Sequence, residues 1–293
     1  ASSLAVSVPS LPAGVGTLAF GALLIVLLMG SMVGLVRKFI GRFGLPLVIL
    51  SLVWLSWQFL GKAQAAGWSE LWNRSGSGGM STLSALDLVI AMPISWLPLV
   101  ADFSRHGRDG ASALRGTWLG YAIANIWCYA LGVLVALTTP SADLVSALLL
   151  AQGGLIALGL ILIDEVDNAY GDLYSGSVAG HSLLPGWTTR QWGVSLAVLC
   201  TALALVLPMH GLEPFLLLLS SVFVPLYGVI LGRLGGGRAD VASLVGATRV
   251  NRGAVAIWLL GVAVFHLLPQ VSTQLGSALP TLALTFLLAR FVR

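Results

Sequence analysis

Asp164, Glu165, Asp167 and Asp172 put four carboxylates within nine residues, directly behind a long apolar run. The chain has only eleven acidic residues in 293, so this is its densest concentration of negative charge. At bilayer depth each charge costs roughly 2.5–3.5 kcal/mol on insertion scales, and a carboxylate kept there binds a proton, a cation or a protonated amine. Either these groups work, or the helix ends earlier than its hydropathy suggests. The register favours work. At about 100° per residue, Asp164, Glu165, Asp167, Asn168, Gly171, Asp172 and Ser175 share an arc of about 160°. Val166, Tyr170 and Leu173 take the opposite side. Such a stripe is what a helix facing a polar cavity needs, whereas a disordered loop has no reason to keep it. The competing reading ends the span near residue 163 and makes the acids a wet helix end, since about 20 apolar residues already cross a bilayer. Gly153 and Gly154 offer a break that would instead start the span near residue 155 and bring the carboxylates to mid-membrane.

A second constellation is AMPISWLPLVADFSR, residues 91–105. Pro93 and Pro98 each remove a backbone donor and disturb the preceding turn. Irregular backbone at membrane depth is tolerated where protein or a water-filled cavity satisfies it, and broken helices are a mark of secondary transporters. Ser95 and Trp96, between the prolines, supply a hydroxyl and an indole that can hydrogen-bond and stack on a planar heterocycle. The break is expected to face residues 164–175. A Pro-kinked structural helix is the plainer alternative. Asp102 and Arg105 are three residues apart and can pair on one helical turn, as an edge pair or as a gate. In SSVFVPLYG, residues 220–228, Ser220, Ser221 and Pro225 read better as helix packing than as a pathway lining. The sequence has no HExxH, no GxSxG and no P-loop, and its four histidines are scattered, so an enzyme is a weak hypothesis.

The elements that must position these residues follow from composition. Hydrophobic residues make up 57 %, charged residues 9 %, and mean hydropathy is +0.95. A soluble domain carries about 25 % charged residues, so the chain reads as an all-α integral membrane protein. No alternating β-barrel dyads occur, and Cys128 and Cys200, both in apolar runs, suggest neither a disulfide framework nor a metal site. Nine hydrophobic segments are predicted, at about 14–36, 43–61, 84–103, 116–139, 144–180, 191–209, 212–232, 254–268 and 277–291, within one polytopic domain over residues 1–293. Nine crossings put thirteen of the fifteen Lys and Arg residues on one side, with Lys62 and Arg74 on the other. The positive-inside rule then sets the N-terminus outside and the C-terminus in the cytoplasm of a bacterial-type inner membrane. The net charge of +4 follows from these cytoplasmic loops, so nucleic acid is no expected partner. Residue 1 is Ala, and no basic n-region precedes the first apolar segment. With an outside start, this leads us to expect a fragment lacking an odd number of upstream helices. Residues 72–82 form a Gly/Ser-rich outside loop and residues 234–252 a basic inner one.

PISWLPLVADFSR resembles the sixth-helix motif of the nucleobase:cation symporter-1 family, a Trp/Ser-rich helix ending in an Asp-Phe-Ser-Arg-like signature. DEVDNAYGDLYSGSV is similar to the eighth helix, with its Asp-x-Tyr-Ser ending, and LLSSVFVPLYGVIL to the tenth. The acidic form looks most like the hydroxymethylpyrimidine/cytosine branch. The resemblance implies the leucine-transporter-like inverted-repeat fold, with nine of twelve helices present and the first three missing. It also implies alternating-access import of a small pyrimidine, hydroxymethylpyrimidine first, by cation- or proton-coupled symport. Ser95, Trp96, Asp164 and Asn168 would bind substrate. Asp164, Glu165, Asp167 and Asp172 would couple Na+ or H+, and Asp102 and Arg105 would gate. The Asp167–Asn168 pair, where other branches carry hydroxyl-bearing residues, favours proton coupling or direct recognition of an aminopyrimidine. The partners are then substrate and lipid, with no further cofactor. The alternatives are a permease for cytosine or another nucleobase and, in a different class, a structural or assembly membrane protein.

Overall fold

The computed structural model describes residues 14–29, 45–75, 80–104, 107–139, 147, 154–207, 212–235, 250–272 and 274–291. Among them all regular structure is helical. In chain order the helices are α1 (Val15–Met29), α2 (Leu45–Ala66), α3 (Trp68–Trp72), α4 (Thr82–Ser95), α5 (Leu97–Ser104), α6 (Gly110–Thr138), α7 (Gly154–Leu183), α8 (Thr189–Val206), α9 (Leu212–Leu234), α10 (Arg252–Val271) and α11 (Ala278–Ala289). Each of the nine predicted segments contains a helix, and the start of the fourth moves substantially. α6 starts at Gly110 instead of 116, because Asp109 and Ser112 form a capping box that satisfies the first free donors. α7 is described from Gly154 to Leu183, and the predicted start of its segment at 144 lies outside the described residues. The chain divides into two compact units, Ala1–Arg74 with His106–Met209, and Ser75–Arg105 with His210–Arg293.

The first unit has apolar cores. Leu55 and Phe59 of α2 pack with Leu131 and Val135 of α6 and Ala157 of α7. The Trp127 indole adds an interhelical bond, donating to Ser56 Oγ at 2.9 Å. Leu24 of α1, Leu173 of α7 and Ala197 of α8 form a second core with Val166 and Tyr170. Two arginines cap helix ends. Arg190 donates to the Met29 carbonyl (2.7 Å) and Arg74 to that of Leu137 (2.9 Å), each setting positive charge at the negative end of a helix dipole. α2 and α6 run the same way, and α8 runs against both α1 and α7, as alternate crossings require.

The second unit is built around α9, which packs against α4, α10 and α11. Gly228 and Gly232, four apart, let α11 approach closely in the manner of small-residue membrane interfaces. A Cβ on Gly228 would lie 2.0 Å from Thr285 Oγ1 and 2.9 Å from the Leu282 carbonyl. Ser220, Ser221 and Pro225 are buried in this unit. Pro225 has no N–H, which weakens the ladder around it. The Trp258 indole on α10 reaches across to the neighbouring Val222 carbonyl (2.9 Å).

Large apolar side chains cover the outside, with Trp57 74 % and Ile126 70 % exposed. Water would not tolerate so much apolar surface, and lipid tails do. Six helices among the described residues are long and apolar enough to cross a membrane: Leu45–Ala66, Thr82–Asp102, Gly110–Thr138, Thr189–Val206, Glu213–Leu234 and Arg252–Val271. α1 and α11 are apolar but shorter. α7 has ample length, 30 residues or about 45 Å at 1.5 Å per residue, and its acids set it apart from the purely apolar helices. The protein is an all-α, multi-pass membrane protein.

Candidate functional site

The two prolines interrupt the third span at one residue. α4 ends at Ser95, α5 begins at Leu97, and Trp96 lies between them. Trp96 turns its N–H to the Pro93 carbonyl (3.3 Å) instead of reaching Met92. The Ser95 hydroxyl takes that vacated place and donates to the Met92 carbonyl at 2.7 Å. Trp96 keeps right-handed helical angles, φ −86 and ψ −15. The break is therefore a single tightened turn without an unwound stretch. Ser95 and Trp96 are both half-buried. With its proton spent on Met92, Ser95 can offer a ligand only an acceptor.

α7 passes through the acidic stretch without a break. Asp164 stands ten residues after its start and Asp172 eleven before its end, so the carboxylates occupy the middle of the helix. The apolar face behaves as its register predicts, with Val166, Ala169, Tyr170 and Leu173 packed with α1 and α8. On the stripe, Glu165 and Asp172 are exposed, Asn168 is half-buried and Ser175 is buried. Asp164 and Asp167 belong to the same helix and register, and their side chains lie outside the described residues. Asp102 is half-buried near the end of α5, and its expected partner Arg105 lies outside the described residues.

Two clefts lie elsewhere. One of about 400 Å³ in the first unit is lined by Met29, Trp187, Arg190, Gln191, Val194 and Ser195. One of about 280 Å³ in the second unit runs between α9 and α10 beside Arg233 and Trp258. Neither contains a residue picked out from the sequence.

One acid escaped the sequence reading. Asp87, in the apolar run LSALDLVIAM, is buried, and its carboxylate accepts the backbone N–H groups of Ser277 (2.5 Å) and Ala278 (2.9 Å). A lone intramembrane carboxylate is itself a functional signal, and that rule would have found it.

The chain is 29 % identical over 237 residues to the cytosine permease of Escherichia coli K12, covering 74 % of this chain and 55 % of that protein. The cytosine permease of Escherichia coli O157:H7 matches to the same extent. The chain thus spans about half the length of the curated relatives it matches. No solved structure matches it. The family model described as permease for cytosine/purines, uracil, thiamine, allantoin matches residues 10–292, nearly the whole sequence. The chain belongs to this family, the nucleobase:cation symporter-1 family that its motifs resemble.

Proposed function

We propose that this chain carries part of a secondary transporter importing a small pyrimidine, with hydroxymethylpyrimidine as first candidate, by cation- or proton-coupled symport. The observation that carries the reading is α7. It holds four acids in mid-helix while its apolar face is consumed by packing against α1 and α8. Within a membrane such a stripe is costly unless it exchanges a charge. Asp164 and Asn168 bind substrate, with Ser95 accepting a ring N–H and Trp96 stacking on the heterocycle. Asp164, Glu165, Asp167 and Asp172 hold the coupling Na+ or H+. Desolvated like charges cannot all stay ionised together, so at least one of the four carries a proton in some state of the cycle. Asp102 and Arg105 gate the cytoplasmic side, on which the C-terminus lies.

Cytosine is the second reading, supported by the names of the relatives. Uptake of labelled hydroxymethylpyrimidine, with unlabelled cytosine as competitor, separates the two. The first reading expects saturable uptake that cytosine fails to displace. Displacement at equal concentration favours cytosine. Absence of uptake for either base, at normal membrane level, supports the structural class.

A further inference from the structure

Asp87 does what a local N-cap residue usually does, from a distance of 190 residues. The first N–H groups of a helix have no intrahelical acceptor. At the start of α11, Ser277 forms no side-chain cap, and the two oxygens of Asp87 receive the N–H groups of Ser277 and Ala278 instead. The turn before α11 is shaped for this contact. Gly276 has φ +61, and a Cβ on it would lie 2.8 Å from the Leu83 carbonyl and 3.2 Å from Asp87 Oδ1. Only glycine combines that backbone with that approach. Ile94, seven residues after Asp87 and so on the same face of α4, is in the core that contains Ala278, Val224 and Phe265. α4 is thus tied to the start of α11 at Asp87, and two turns further on its Ile94 enters the core that also holds Ala278. The proline break begins at the next residue.

We infer that Asp87 is a positioning residue, anchoring α4 to the start of α11 so that the Ser95–Trp96 break bends against a fixed support. α11 then acts as a brace for the interrupted span. The link from the break to substrate affinity rests on the function proposed above, while the anchor itself does not.

The test uses the full chain in membranes, with Cys128→Ser and Cys200→Ser removing the native thiols, and a small maleimide as probe. A thiol is introduced at the buried position 277 by Ser277→Cys or, separately, at the break by Ser95→Cys. Asp87→Asn keeps the size but turns an NH2 toward one of the two N–H donors. We expect it to change the labelling rate by about tenfold or more at both positions, the scale of a lost hydrogen bond to a charged group. Gly276→Ala, which leaves the carboxylate intact and forces the turn away, produces the same pattern and guards against a folding defect peculiar to Asp87→Asn. In uptake, Asp87→Asn raises KM severalfold for whichever base is carried, at unchanged membrane level. Unchanged labelling at 277 overturns the anchor. Faster labelling at 277 with an unaltered rate at 95 reduces Asp87 to a structural cap and overturns the positioning role. Both labelling arms report even if the chain transports neither base, so failure of the anchor and failure of the functional reading remain distinct.

Discussion

Asp87 and the α7 stripe solve opposite problems with the same side chain. Asp87 is buried and its oxygens are given to two backbone donors, so its carboxyl group is fixed in place. Glu165 and Asp172 stay exposed on a helix whose other face is packed. An acid that builds structure is saturated by the protein, and an acid that exchanges a ligand must stay reachable. Their units differ in the same sense. Among the described residues the first unit buries Ser51, Ser175 and Ser177 beside its apolar cores, whereas the second buries a carboxylate, Asp87, together with Ser220, Ser221, Ser277, Thr281 and Thr285.

The sharpest way to break this contrast is to neutralise the stripe. Asp164→Asn and Asp167→Asn are each expected to lower uptake on the order of 10- to 100-fold, the range of a lost charged contact of roughly 1.5–3 kcal/mol. The residual activity should lose its dependence on pH or sodium. Wild-type behaviour from both variants would make the stripe inert and move the site to Ser95 and Trp96.

Next in size is the packing of the second unit. Gly228→Ala forces a methyl into Thr285 and toward the Leu282 carbonyl, and should cost about 1–3 kcal/mol of stability, read as a lower melting temperature in detergent.

A smaller effect compares the two interhelical indoles directly. Trp258→Phe leaves the Val222 carbonyl without its indole donor and is expected to cost about 1 kcal/mol. Trp127→Phe should cost less, because Ser56 still donates to the Leu52 carbonyl (2.7 Å). Equal melting temperatures for the two variants would remove the distinction between the units.

The smallest effect is at Asp109, outside the spans. The Ser112 N–H, at 2.7 Å, holds its carboxyl below the ordinary value of 3.8. A carboxylate with a depressed folded value stabilises above its unfolded pKa and loses that contribution as pH falls through the folded one. Asp109→Ala should therefore melt slightly below the parent at neutral pH and level with it in strong acid.

What the sequence revealed depended on periodicity. The stripe and the apolar face of α7 both follow from a 3.6-residue repeat, and the packing of Val166, Tyr170 and Leu173 agrees with it. Two prolines five apart announced the break at Trp96, but not that the Ser95 hydroxyl would turn back to Met92. The start of α6 was misjudged because hydropathy ignores caps, and Asp109 with Ser112 extends the helix into polar sequence. Asp87 stayed hidden for a different reason. Its immediate neighbours Leu86 and Leu88 are apolar, and its partners are backbone groups 190 residues further along the chain, which no local pattern encodes.

That separation has a consequence in time. At a synthesis rate of about 5–20 residues per second, the N–H groups that meet Asp87 are made roughly 10–40 s after it. Through that interval the nascent span carries an unpaired acid, and the second unit stays open while α6, α7 and α8 emerge. Closure of the contact between α4 and α11 thus waits until Ser277 and Ala278 have been made.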